Sequence, residues 1–476
     1  MSRIESQNWI MDVSQVREPA QWPECCIYRV PKKFLKVNKD AYTPKLISIG
    51  PLHHGSEELR DMEELKVRYF KLYFVRALKG EDGASTAEEK KVILWKKLER
   101  IVEENSEKIC RCYAERPQLG QTEFVRMILV DATFIIELFL RAFEDVEDGY
   151  DYILSKPWLR HDIKQDLILL ENQLPFFILE KIHERFSIPV KKERTDFLTL
   201  AGNYFSQSFV YQERSFLTEV KHLTDLLRYL FCPPNRKFDK FILNGSSERD
   251  TAAAAECLNK LDKAGLNVER TFNNLPSASK LDGAGVEFQR VEGDLFDIEF
   301  KKGKSLERIP CLNCSWLLAC LPCFKCFPFL VRMQPFLELP HFVVDDSTET
   351  VFRNLMSLEQ CHYPLEAYIC NYMVLLDALI NTEKDVDLLI SKKIIVNQLG
   401  STDAVTTMIN KLCEEIGEVN SYYYPLSKQL SNHYDNFWNH AMATLTRVYF
   451  TNIWKGTATV VGLIVLGFTI WGFIKK

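Results

Sequence analysis

Between Met62 and Lys79, Leu65, Tyr69, Leu72 and Tyr73 recur at helical spacing, and the stretch Gly80 to Thr86 ends the pattern. Glu88 to Glu115 reads as a long amphipathic helix. Glu123 to Phe143 is apolar nearly all round, but Arg126, Asp131, Glu137 and Arg141 interrupt it too often for a membrane span, so it is expected to be a central core helix. Further helical patterns cover Arg160 to Phe186, Thr195 to Gln207 and Thr218 to Phe231.

The pattern then changes. Cys232 to Ala255 carries Pro233-Pro234 and Gly245-Ser246-Ser247 and reads as a loop or insertion, followed by a short helix to Gly265. Val286, Phe288 and Arg290 alternate with Glu287 and Gln289, and Leu295, Asp297 and Glu299 with Phe296, Ile298 and Phe300, which predicts a strand pair around Glu292-Gly293-Asp294. Phe336 to Val344 adds a further candidate strand. Asp346, with Glu349 three residues on, has capping-box spacing, and Val351, Phe352, Leu355, Met356 and Leu358 supply the buried face behind it. Tyr363 to Asn381, Ser401 to Ile416 and Leu426 to Tyr449 complete the helices. The expected fold is a mainly α-helical globular body over residues 23–452 with a small antiparallel β patch, preceded by a lead of residues 1–22.

The C-terminus adds one expected element. Gly456 to Ile474 contains no ionisable side chain and is flanked by Lys455, Lys475 and Lys476. About nineteen residues at ~1.5 Å rise reach ~28 Å, close to the ~30 Å thickness of a bilayer core. The segment therefore predicts a transmembrane helix that includes Gly456, Gly462, Gly467, Trp471 and Ile474, with Trp454 and Trp471 near its ends. Met1 to Val16 has no apolar core and is not a signal peptide, so a single-pass protein of the plasma membrane or an endomembrane, with a cytosolic body, is expected. The sequons at Asn244 and Asn313 would matter only in the inverted topology.

Composition narrows the class. With 46% hydrophobic, 12% aromatic and 26% charged residues the chain can bury a large core. A net charge of −5, with basic pairs such as Lys32-Lys33, Lys191-Lys192 and Lys301-Lys302 scattered along the chain, argues against a nucleic-acid binder. The fourteen cysteines fit reduced thiols in a cytosolic body. GxSxG, P-loop, HExxH and dinucleotide glycine patterns are absent from the sequence.

Several ordered blocks carry a resemblance. Glu24-Cys25-Cys26-Ile27-Tyr28-Arg29-Val30-Pro31 runs on through Ala41-Tyr42-Thr43-Pro44 to Ile49-Gly50-Pro51-Leu52-His53-His54-Gly55. Leu169-Leu170-Glu171-Asn172-Gln173-Leu174-Pro175-Phe176-Phe177, Asp345-Asp346-Ser347-Thr348-Glu349, Leu358-Glu359-Gln360-Cys361 and Leu379-Ile380-Asn381-Thr382 follow. Together they resemble the signature of the plant family called domain of unknown function 247, from about Cys25 to the C-terminus. The resemblance implies a membrane-associated plant protein with one C-terminal span and no established enzymatic activity. Some grass members of that family are implicated in pollen self-incompatibility as candidate recognition determinants. This chain departs from the family pattern at Pro310 to Gln334, a cysteine-rich apolar insertion.

That insertion holds Cys311-x2-Cys314 and Cys320-x2-Cys323-x2-Cys326, which resemble metal-ligand spacing but lie too close together for the usual zinc module. Trp316, Leu317, Leu318, Leu321, Phe324, Phe327, Phe329 and Leu330 make it hydrophobic, so S-acylation or lipid contact through those five cysteines, ordinary packing and metal binding are the alternatives. Two function classes follow. The first is a non-enzymatic, membrane-anchored recognition, signalling or scaffold protein with no catalytic residue, no cofactor, a lipid contact through its terminal helix and a protein partner. The second is an unrecognised enzyme centred on His53, His54, Asp345 and Asp346; with a metal, His53 and His54 would form half of its site and Asp345-Asp346 or His341 the other half. The polar run Glu171-Asn172-Gln173 is expected to fix neighbouring backbone, because buried polar groups must be paired.

Overall fold

The computed structural model describes residues 23–78, 86–144, 151–186, 195–206, 220–232, 275–302, 335–417, 421–444 and 453–474. The chain divides into two compact units, one of Met1–Asn235 with Thr350–Tyr363, the other of Arg236–Glu349 with Pro364–Lys476. The first contains α1 (Lys32–Val37), α2 (Arg60–Leu78), α3 (Ala87–Arg111), α4 (Gln121–Glu144), α5 (Pro157–Asp166), α6 (Phe176–Phe186), α7 (Phe197–Phe205) and α8 (Leu223–Phe231). The second contains α9 (Ala278–Gly283), β1 (Glu287–Val291), β2 (Glu299–Lys301), β3 (Phe336–Pro340) and β4 (Phe342–Val344). After these comes α10 (Thr348–His362), whose residues from Thr350 onward belong to the first unit. The second unit resumes with α11 (Tyr368–Leu379), α12 (Glu383–Ser391), β5 (Ile395–Asn397), α13 (Thr402–Leu412), α14 (Tyr424–Tyr434), α15 (Phe437–Thr444) and α16 (Ile453–Ile474).

In the first unit α4 is the central element, packed against α2, α3, α6 and α7. Its apolar residues are buried on every side, including Ile128, Phe134, Ile135, Leu138 and Phe139. Phe139 stacks on Tyr204 of α7 with ring centroids 4.4 Å apart. Three of the charges that marked this helix as a poor membrane span, Asp131, Glu137 and Arg141, are paired inside the body: Glu137 accepts from Arg76 at 2.8 and 3.0 Å and from Arg141 at 3.1 Å, and Asp131 accepts from Lys66 at 2.7 Å. Helix α3 starts where a capping box forms, with Glu89 N–H on Thr86 Oγ1 at 3.3 Å and Thr86 N–H on Glu89 Oε2 at 2.9 Å. The single apolar pattern of Arg160 to Phe186 becomes two helices, α5 and α6. Pro175 immediately precedes α6 and disfavours helical backbone in the residue before it.

In the second unit the β patch is mixed, not antiparallel. The expected hairpin of the 286–290 and 295–300 segments does not form. Both strands pair instead with β3, which lies between them in the order β1-β3-β2, β1 parallel to it and β2 antiparallel. The intervening chain turns on Asp297, whose carboxylate accepts Asp294 N–H at 3.0 Å, while Phe296 and Ile298 are buried. β4 pairs in parallel with β5, a strand with no alternation long enough to read. The Asp385 carboxylate joins α9 to α12 by accepting Ser279 N–H at 2.7 Å and Thr382 N–H at 2.9 Å. His433 bonds Ala284 O through Nε2 at 3.1 Å.

The expected C-terminal transmembrane helix is not supported. Gly456, Gly462, Gly467, Trp471 and Ile474 do lie on one helix, α16. Among the described residues, however, no helix is long and apolar enough to cross a membrane. Glycines and threonines dilute the apolar run. The cysteines of the insertion, the sequons at Asn244 and Asn313, and the loop and short helix expected over 233–265 lie outside the described residues.

Candidate functional site

The longest sequence blocks converge in the first unit, where residues 45–50, buried from Ile47 onward, have no partner strand among the described residues. Side chains supply the partners. Asp166, at the end of α5, accepts the N–H groups of Lys45, Leu46 and Ile47 at 2.9, 2.7 and 2.8 Å. Asn172 accepts Ile49 N–H at 2.7 Å and donates to the carbonyls of Ile47 and Asp166 at 2.9 Å each. Asp131 of α4 takes Gly50 N–H at 2.9 Å. Burial raises the Asp166 carboxyl to about 6 against the pull of those three amides.

The Glu171-Asn172-Gln173 run does what its burial requires. Gln173 donates to the carbonyls of Leu167 and Leu169 at 2.8 Å each and accepts Leu223 N–H at 2.9 Å, fixing the start of α8. Glu171 accepts Val30 N–H at 2.7 Å and Arg29 Nη1 at 2.9 Å. Asn354 of α10 extends the set, accepting Leu170 N–H at 2.9 Å and donating to Ala41 O at 2.8 Å. Beneath it, Lys66 donates to Asp131 at 2.7 Å and to Ser48 O at 2.6 Å. Burial opposes the Lys66 charge, but Asp131 and Glu63 outweigh it and hold its pKa above the ordinary value.

A polar rim borders this interior. Arg29 bridges Glu171 and Glu115, the latter at 3.2 Å. His53 Nε2 lies 3.5 Å from Glu171 and His54 Nε2 lies 3.7 Å from Glu123. Burial lowers the His53 pKa, Glu171 opposes that and Arg29 reinforces it.

A family model described as plant protein of unknown function, domain of unknown function 247, matches residues 27–468. The chain belongs to that family. A UPF0481 protein of Arabidopsis thaliana is 27% identical over 468 residues, covering 95% of this chain and 86% of the relative. A second UPF0481 protein of the same plant is 22% identical over 517 residues, covering 98% of this chain and 93% of the relative. No solved structure matches.

In this member of the domain of unknown function 247 family, the signature side chains converge on backbone groups. The residues of the metal-enzyme reading fall in both units. His53 and His54 lie in the first unit, Asp345 and Asp346 in the second. Asp345 sits in the turn before α10, accepting Ser347 N–H at 3.0 Å, Ser347 Oγ at 2.7 Å and Thr348 Oγ1 at 2.9 Å. Burial pushes its carboxyl up, but these donors outweigh it and hold the group below the usual range. Among the described residues no group of three His, Cys, Asp or Glu side chains is placed to hold a metal ion.

Sequence reasoning missed Lys66, Asp166 and Asn354. Lys66 had a signal, since it lies in phase with Leu65, Tyr69 and Tyr73 on the buried stripe of α2. It missed His183 and His222 as well. His222 caps α8, accepting Asp225 N–H at 3.3 Å and bonding Cys26 O at 3.1 Å, and burial lowers its pKa to about 3. Burial also lowers His183, to about 4, and neither of its ring nitrogens has a hydrogen-bond partner among the described residues. A histidine depressed below 6.5 in the folded state contributes stability that is full above pH 6.5 and is lost as the pH falls toward 4. His183→Leu should therefore gain about 1 kcal/mol at pH 7, and the gain over the parent should widen by about 2 kcal/mol at pH 5. Urea denaturation of the two proteins at both pH values measures the difference, and a gain independent of pH would mean that His183 charges freely in the folded chain.

Proposed function

We propose that this chain is a non-enzymatic recognition or scaffold protein that acts through a protein partner. The observation that carries the reading is the commitment of the signature's Glu171, Asn172 and Gln173, joined by Asp166 and Asn354 from outside the signature, to backbone groups: each holds a stretch of main chain in place. Residues with that duty specify a shape. A fixed shape is what recognition needs, because preorganisation lowers the ordering cost of binding.

The second unit supplies a candidate contact. Phe437 and Trp438, at the start of α15, are 74% and 55% exposed, with ring centroids 6.0 Å apart. Exposed aromatic side chains are the residue type that most often anchors protein interfaces. A reducing compartment fits the eight free cysteines among the described residues.

Proximity labelling in plant cells, with the biotin ligase fused to the full chain, tests the reading. Phe437→Ser with Trp438→Ser should remove a defined set of labelled proteins, while His53→Gln leaves that set intact. An enzymatic turnover that depends on His53 and survives the aromatic pair's replacement would overturn the assignment.

A further inference from the structure

The N-terminal signature brings two cysteines together from distant parts of the first unit. The N–H groups of Cys26 and Ile27 both donate to Cys112 O at 2.9 Å, and Ala114 N–H returns to Ile27 O at 2.9 Å. Ile27 and Tyr113 form a parallel bridge, so Cys26 and Cys112 stand side by side one step before it. Residues joined by one backbone hydrogen bond leave their Cα atoms roughly 5–6 Å apart, inside the ~4.4–6.8 Å that a disulfide spans. Both cysteines are 3% exposed, both are free thiols, and their side chains interact.

We propose that Cys26 and Cys112 are a redox-active dithiol site that closes to a disulfide when a peroxide reaches it. The two sulfurs differ in character. The Cys26 hydrogen bond lowers the pKa of Cys112, with burial opposing and Lys108 and Lys221 assisting. The same contact, with burial, pushes Cys26 well above the ordinary value. Burial raises Cys25 and Cys110 as well. In the proposed reaction Cys112 serves as the nucleophile and Cys26 as the resolving thiol.

The chemistry is balanced. The Cys112 thiolate attacks one oxygen of hydrogen peroxide, the O–O bond breaks, and Cys112 becomes a sulfenic acid with release of hydroxide. Cys26 sulfur then attacks the Cys112 sulfur, the S–O bond breaks and water leaves, its proton coming from the Cys26 thiol. Two thiols are oxidised by two electrons and one peroxide is reduced to two waters, the Cys112 proton having neutralised the hydroxide. Access is through local opening, since neither sulfur is on the surface. The product pins the segment leading to Arg29 and Val30 onto the end of α3, and closing so long a loop raises stability.

The test uses the full chain carrying Cys25→Ser and Cys110→Ser, reduced, desalted and exposed to hydrogen peroxide. It is then quenched with N-ethylmaleimide in denaturant and digested without reductant. Mass spectrometry should find the Cys26 and Cys112 peptides joined and two hydrogens lighter, the link should vanish with dithiothreitol, and the melting temperature should rise by several degrees. Cys26→Ala in that background should leave Cys112 as a sulfenic acid that dimedone traps, a readout that needs no disulfide. Full maleimide labelling of both cysteines after peroxide would overturn the proposal, as would a link from either one to Cys311, Cys314, Cys320, Cys323 or Cys326, or dimedone on Cys26 alone.

Discussion

Gly50→Ala is expected to destabilise the first unit by about 4 kcal/mol, enough to leave much of it unfolded at ordinary temperature. Two costs add. Gly50 has a φ of +73°, in the left-handed region where a Cβ costs about 1–2 kcal/mol. A Cβ there would also lie 2.4 Å from Gln173 O and 3.1 Å from the Tyr113 hydroxyl. Neither neighbour can step aside, because Tyr113 donates to that same Gln173 carbonyl at 2.9 Å and Gln173 holds the start of α8. Gly55 is the matched control, with a φ of +78° and nothing within 4 Å of its Cβ position. Gly55→Ala should cost only the backbone share, about 1 kcal/mol. Urea midpoints for the two variants separate the terms, and equal losses would show that the close approach at Gly50 relaxes.

That difference marks what the sequence disclosed. The helices with a sustained 3.6-residue period were legible: α2, α3 and α4 lie within a few residues of the segments Met62 to Lys79, Glu88 to Glu115 and Glu123 to Phe143. The purpose of Glu171-Asn172-Gln173 was legible too, because a polar run inside apolar sequence must find partners. Its partners were not, since residues 45–50 are far away in the chain and carry no pattern of their own. Strand alternation told where β1 and β2 lie but not that β3 separates them. Pairing is set by burial of Phe288, Leu337 and Leu339 on one sheet, a long-range property. The C-terminal segment misled in another way. A run without charges is apolar by composition, yet its glycines and threonines count against a span, and among the described residues no helix is long and apolar enough to be one. Helix α10 was correctly placed, but its residues from Thr350 onward complete the first unit, where Glu359 meets Arg228 at 3.0 Å. No local signal reports that assignment.

Lys66→Met should cost about 3–5 kcal/mol near neutral pH, because it strips the partner from a buried carboxylate and leaves the charge in place. Asp131 and Lys66 are both essentially excluded from solvent. In the intact protein burial raises the Asp131 carboxyl while the Lys66 ammonium and Gly50 N–H pull it back. Removing the lysine leaves burial less opposed, so the folded-state pKa of Asp131 rises further. A carboxyl raised in the folded state contributes stability that is full below its unfolded value and lost as the pH climbs through the folded one. The deficit of Lys66→Met relative to the parent should therefore be small near pH 4, where Asp131 can take a proton, and grow toward pH 7. Adding Asp131→Asn should recover part of the loss at pH 7, since the amide oxygen introduced at position 131 can still accept Gly50 N–H without carrying a charge. Denaturant midpoints of the single and double variants across this range measure both effects. A deficit that stayed the same from pH 4 to 7, with no recovery in the double variant, would assign the cost to packing around the lysine stem and not to the charge of Asp131.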